Sequence, residues 1–126
     1  MRLLLDTCAL LWWLADDAKL GKAARAAIAR GTNEVFVSAA SAWEISIKEA
    51  LGKLDAPADL PSALKENRFR PLDITVSHAL KAGRLPRLHD DPFDRMLIAQ
   101  AREEHLTIVT DDPRFEPYEV PIMFAA

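Results

Sequence analysis

Six acids carry most of the chemistry open to this 126-residue chain: Asp6, Glu44, Asp91, Asp94, Asp111 and Asp112. The densest stretch is His89-Asp90-Asp91-Pro92-Phe93-Asp94-Arg95, which runs into the apolar Met96-Leu97-Ile98-Ala99. Asp91 suits a helix cap and Pro92 the first helical position. Asp94 then falls in the first turn, at the positive end of the helix dipole. Capping alone accounts for Asp91 and can account for Asp94. The other acids share a kind of placement with them. Asp6 ends the run Leu3-Leu4-Leu5, Asp111 and Asp112 follow Leu106-Thr107-Ile108-Val109-Thr110, and Glu44 lies just beyond Glu34-Val35-Phe36-Val37-Ser38. Carboxylates gathered from separate segments repel, so their charged form needs a cation or their protonation. No cysteine or histidine is expected among them, which disfavours zinc; all-oxygen ligation suits Mg²⁺ or Mn²⁺. Such ions recruit phosphate oxygens and activate water, so phosphodiester hydrolysis is the chemistry expected.

The elements that must position these acids follow from the hydrophobic pattern. The runs 3–5, 34–38, 71–74, 106–109 and 120–124 read as strands, the last as an edge because Pro121 cannot donate to a ladder. Helices are expected between them. Thr7 is the expected cap of the first, which carries Cys8, Leu10, Leu11, Trp12, Trp13 and Leu14. Cys8 reads as a small core residue. Trp12 and Trp13 point roughly 100° apart, so one core face does not easily take both: either one of them serves an interface or both are half-buried. Residues 22–30 form an alanine-rich helix stopped by Gly31. In the third helix Ala40, Trp43, Ile47, Ala50 and Leu54 define the expected core stripe, with Glu44 beside it. Glu44 also fits a capping box from Ser41 and an i,i+4 pair with Lys48. Residues 52–61 read as a loop, 59–67 as a short helix and 76–82 as a helix ending at Gly83. Alternating strands and helices predict an α/β fold with a mostly parallel sheet between two helical layers. In such folds sites form beyond the carboxyl ends of the strands, where Asp6, Glu44, Asp94 and the Asp111–Asp112 pair can meet.

Length predicts a single domain spanning 1–126 with a real core. Net charge is −3, so bulk charge does not advertise nucleic-acid binding; a local basic patch or a metal would be needed. Positive charge does concentrate before the central motif, where Arg84, Arg87, His89 and Arg95 form a basic approach to the acids. No apolar run reaches membrane-span length. The opening Met1-Arg2-Leu3-Leu4-Leu5-Asp6 meets an acid too early for a secretory signal. A single cysteine excludes an internal disulfide, and a reducing cytoplasm is the expected location.

Leu5-Asp6-Thr7, Trp43-Glu44-Ile45, Asp91-Pro92-Phe93-Asp94-Arg95-Met96-Leu97-Ile98-Ala99-Gln100-Ala101 and Val109-Thr110-Asp111-Asp112-Pro113 together resemble PIN domains, most closely the VapC-type toxins of toxin–antitoxin pairs. The likeness covers essentially the whole chain in the right order. It implies a strand order of 3-2-1-4-5 and a Mg²⁺- or Mn²⁺-dependent endoribonuclease, usually a homodimer, silenced by a cognate antitoxin protein. It implies Asp6, Glu44 and Asp94 as site acids. Family spacing points to Asp112 as the fourth, with Asp111 a second candidate. With RNA as substrate, Arg84, Arg87, His89 and Arg95 are the expected contacts.

Two other classes share features with this chain. A phospho-acceptor signalling domain also holds Mg²⁺ with acids at strand ends, but it resembles an acid pair after the first strand and a lysine late in the sheet. Here Asp6 is followed by Thr7-Cys8, and no lysine follows the fourth strand. A PIN-fold binding module without cleavage is the other class, and the intact acids argue against it.

Overall fold

The structure is a computed structural model that describes residues 1–126. Its strands are β1 (Arg2–Leu5), β2 (Glu34–Ser38), β3 (Arg70–Leu72), β4 (Thr107–Thr110) and β5 (Ile122–Phe124). All neighbouring pairs run parallel, in the order β3-β2-β1-β4-β5. The helices are α1 (Thr7–Leu14), α2 (Lys22–Ala29), α3 (Ala39–Ala50), α4 (Leu60–Glu66), α5 (Val76–Arg84) and α6 (Pro92–Glu104), with a 3₁₀ helix at Pro113–Tyr118. Phospho-acceptor domains use the order 2-1-3-4-5, so the observed order sets that class aside.

Side chains alternate across the sheet, as a period of two requires. Leu3, Leu5, Val35, Val37 and Val109 face one core with Leu10, Ile28, Ile45 and Leu64. Leu4 and Ile108 face the other, with Leu97, Ile98, Ala101, Phe115 and Tyr118. The chain adds β2 and β3 on one side of β1, then crosses to place β4 on the other. Loops leaving β1 and β4 therefore diverge, opening a crevice at their carboxyl ends. α3 leaves β2 directly and touches both α1 and α6, which brings a third segment over that crevice.

Several boundaries differ from the pattern expected. The third strand is Arg70–Leu72, because Asp73 and Ile74 lead into the cap at Thr75, whose side chain accepts from His78 N. α5 does not stop at Gly83 but runs to Arg84. Gly83 keeps ordinary helical geometry, and the stop comes from Pro86, which holds the preceding Leu85 extended (φ −61°, ψ 148°). The last strand is shorter than 120–124. The stripe on α3 is rotated from the one expected. Its buried residues are Ala40, Ser41, Glu44 and Ile45, while Trp43 is 63% exposed. One residue is 100° of helix; the short step from β2 into the Ser38 cap fixes the angle, and the size of Trp43 does not override it.

Candidate acidic metal centre

Asp6 leaves β1 and caps α1. Its Oδ1 accepts from Ala9 N at 2.8 Å, and its Oδ2 accepts from Thr110 Oγ1 at 2.6 Å. The expected cap, Thr7, is instead the first helical residue, because the strand delivers Asp6 first; its hydroxyl donates to Glu44 Oε1 at 2.6 Å. Burial pushes the Asp6 carboxyl up to about 6, against the Thr110 and Ala9 hydrogen bonds, and nearby Asp112 and Glu44 add to the rise.

Glu44 is buried on the inner face of α3. Ser38 caps that helix, so the Ser41 capping box is not formed, whereas Lys48 Nζ does meet Glu44 Oε2 at 2.8 Å. Asp91 caps α6 by accepting from Phe93 N at 2.8 Å and Asp94 N at 3.1 Å. This cap sets Asp94 in the first turn, where burial and the Asp91 charge push its carboxyl up to about 6. Asp112 lies two residues past β4. Its side chain caps the 3₁₀ helix through Arg114 N, and the Arg114 guanidinium (Nη2 to Oδ2, 2.7 Å) holds its carboxyl below the usual range.

These side chains surround one cavity of about 310 Å³, lined by Asp6, Thr7, Cys8, Trp12, Glu44, Lys48, Asp91, Asp94, Asp111, Asp112 and Arg114. All four acids expected at the site reach it. Asp111 reaches it too, but is exposed, whereas Asp112 is half-buried. Six acids face two basic side chains. Two of the carboxyls, Asp6 and Asp94, are driven toward their protonated form. That uncompensated charge and the oxygen-rich lining fit a divalent cation.

The basic approach needs correction. His89 is only 4% exposed, and its Nε2 lies 2.8 Å from Asp94 Oδ2 and 3.9 Å from Asp112 Oδ2. A histidine therefore does stand among the acids, contrary to the expectation that none would. Arg95 is spent on the fold: its guanidinium donates to the carbonyls of Ala82, Leu85, Pro86 and His89. Arg84 and Arg87 are exposed but line no part of the acid cavity. The basic groups at the rim are Lys48 and Arg114. Lys48 was visible in the sequence as the i,i+4 partner of Glu44; Arg114 stands two residues after Asp112, a spacing that marks it only once the turn is known. Cys8 is exposed at the cavity and not in the core. As the second residue of α1 it follows the capping Asp6, which turns it toward the crevice. Although the residue is exposed overall, partial desolvation of its sulfur and the Asp6 and Glu44 charges push its thiol up, so it stays protonated.

A PIN-domain family model matches residues 3–120, and the chain belongs to that family. It is 31% identical over 121 residues to Ribonuclease VapC22 of Mycobacterium tuberculosis, a match covering 94% of this chain and 92% of that protein. Its fold is similar to VapBC2 of Rickettsia felis, solved with a DNA fragment from its promoter (TM-score 0.74, 16% identity, all of both chains covered). It is also similar to a toxin–antitoxin complex from Klebsiella pneumoniae (TM-score 0.68, 14% identity, 98% of this chain and 97% of that one).

Proposed function

We propose that this chain is a divalent-metal-dependent endoribonuclease, the toxin of a toxin–antitoxin pair. The observation that carries this reading is the convergence of Asp6, Glu44, Asp94 and Asp112 from four separate segments on one cavity. The VapC ribonuclease relative, similar over nearly its whole length, supplies the substrate class. The toxin–antitoxin complexes of the same fold support an antitoxin protein as partner. The chain is read as one domain over 1–126, cytoplasmic in keeping with its single unpaired cysteine. No helix is long and apolar enough to cross a membrane. A homodimer is proposed as well, for which the exposed Val76 and Leu80, one turn apart on α5, are apolar surface available to cover.

Asp6, Asp94 and Asp112 are the groups that would hold Mg²⁺ or Mn²⁺, with Asp111 reaching it through water. A bound divalent ion supplies charge neutralisation, contacts to phosphate oxygens and a more acidic water. The chain's own residues do the rest. Thr110 orients Asp6, and Thr7 with Lys48 orients Glu44. Glu44 is placed to take a proton from an attacking water. Lys48 and Arg114, at the rim, meet phosphate oxygens of the RNA, and Arg84 and Arg87 contact the strand farther out. A brief pulse of expression followed by mapping of new RNA ends tests the reading. Discrete new ends are expected, suppressed by the co-expressed antitoxin; an unchanged RNA population would defeat it.

A further inference from the structure

We propose that His89 is a positioning residue: it holds Asp94 through a donated Nε2–H and does not itself ligate the cation. This rests on the metal-nuclease reading above. His89 Nδ1 faces Asp91 N at 3.4 Å. A backbone N–H only donates, so Nδ1 presents its lone pair and the proton of the neutral ring sits on Nε2. That nitrogen is 2.8 Å from Asp94 Oδ2, a carboxylate acceptor. Ligation through Nε2 would move the proton to Nδ1, where it would meet the Asp91 N–H donor to donor. The ring is also held from behind. The Tyr118 hydroxyl accepts from His89 N at 2.7 Å and donates to the Pro86 carbonyl at 2.8 Å. Phe115 packs edge-on to the imidazole at 6.0 Å between centroids. His89 thus occupies one Asp94 oxygen and leaves the other free in a set direction. Removing a partner of this kind typically weakens metal binding about ten- to a hundredfold.

The test uses Mn²⁺ as probe on the full chain, with His89→Ala and His89→Gln. Free Mn²⁺ is titrated by electron paramagnetic resonance, pulsed measurements look for nitrogen coupling to bound Mn²⁺, and metal-free melting monitors the fold. His89→Ala should weaken Mn²⁺ binding about ten- to a hundredfold. His89→Gln, which keeps a side-chain N–H donor, should recover most of that loss. The parent's bound Mn²⁺ should show no directly coordinated nitrogen. Should His89→Ala fail to fold, the glutamine variant and the parent's spectrum still decide. Strong nitrogen coupling in the parent overturns the inference, as does a folded His89→Ala with parental affinity or a folded His89→Gln as weak as alanine. In each of these three cases a parent that binds Mn²⁺ and cuts RNA leaves the nuclease reading intact. A parent that binds no Mn²⁺ defeats both.

Discussion

Asp6 and Asp94 both stand near pKa 6 in the metal-free fold, for the shared reason that each is buried beside other carboxylates. In the unfolded chain they return to the ordinary value of 3.8. Between those values the native state binds more protons than the unfolded one. Metal-free stability should therefore fall as pH rises from about 4 to about 6 and stay lower above that. Asp6 alone contributes on the order of 3 kcal/mol to this fall. Melting scans in chelator should show a shallower decline for Asp6→Asn than for the parent; equal slopes would contradict the burial argument. Past the fourth strand, Asp112→Asn should weaken Mn²⁺ binding much more than Asp111→Asn, since Asp111 is exposed while Asp112 is held among Thr110, His89 and Arg114. Calorimetric titration of the two variants decides it, and a larger loss at Asp111 would reverse the assignment. The sequence made the acids legible because each sits at a strand or helix end. It did not make their hydroxyl donors legible: Thr110 and Asp6 are 104 residues apart, and only the β1–β4 pairing brings them together.

At the scale of elements, α1 separates its two tryptophans by function. Trp13 donates from Nε1 to Asn67 Oδ1 at 2.9 Å and packs against Phe69 at 6.0 Å, tying α1 to the end of α4. Trp12 lines the acid cavity. Both are half-buried, which is the second of the two arrangements the sequence left open. Trp13→Ala should cost roughly 2–4 kcal/mol in denaturant unfolding. Trp12→Ala should cost less stability and instead change RNA or antitoxin affinity. Equal destabilisation by both, with affinities untouched, would contradict this division. α6 was the most legible helix, since Asp91, Pro92 and Asp94 mark its start by type alone and the structure caps it through Asp91. α3 was less so: its apolar residues admit two stripes a residue apart, and the short step from β2 into the Ser38 cap selects the one that buries Glu44 toward α1 and α6. His89 stands beside arginines in sequence and so resembles part of a basic surface. Tyr118, 29 residues later, is what folds it inward.

For the whole molecule, strand order is the organising fact. Placing β1 between β2 and β4 puts the ends of β1 and β4 at the switch point. Asp6 and Asp112 therefore meet however the surface loops vary. Alternation of elements predicted the parallel sheet, and the motif likeness implied its order; neither could locate the ends of β3, where only three residues pair. A ligand that binds only the folded centre stabilises it by mass action. Mn²⁺ or Mg²⁺ should raise the melting temperature of the parent by several degrees, most at neutral pH where Asp6 and Asp94 are ionised, and much less for Asp94→Asn. A melting temperature indifferent to either ion in the parent would count against a metal centre.

The central claim is that these carboxylates hold a cation with which the protein hydrolyses RNA. It is tested most directly by single-turnover cleavage of one RNA, comparing the parent with Asp94→Asn after exhaustive chelation and after Mg²⁺ or Mn²⁺ is restored. Asp94→Asn keeps the shape and the Asp91 cap, so it should fold. The expected result is cleavage by the parent only with metal, a loss of about a hundredfold or more in the variant, and products free of 2′,3′-cyclic phosphate, because water and not the 2′-hydroxyl attacks. Cleavage that survives chelation, or a folded variant that cuts at the parental rate, would contradict the account.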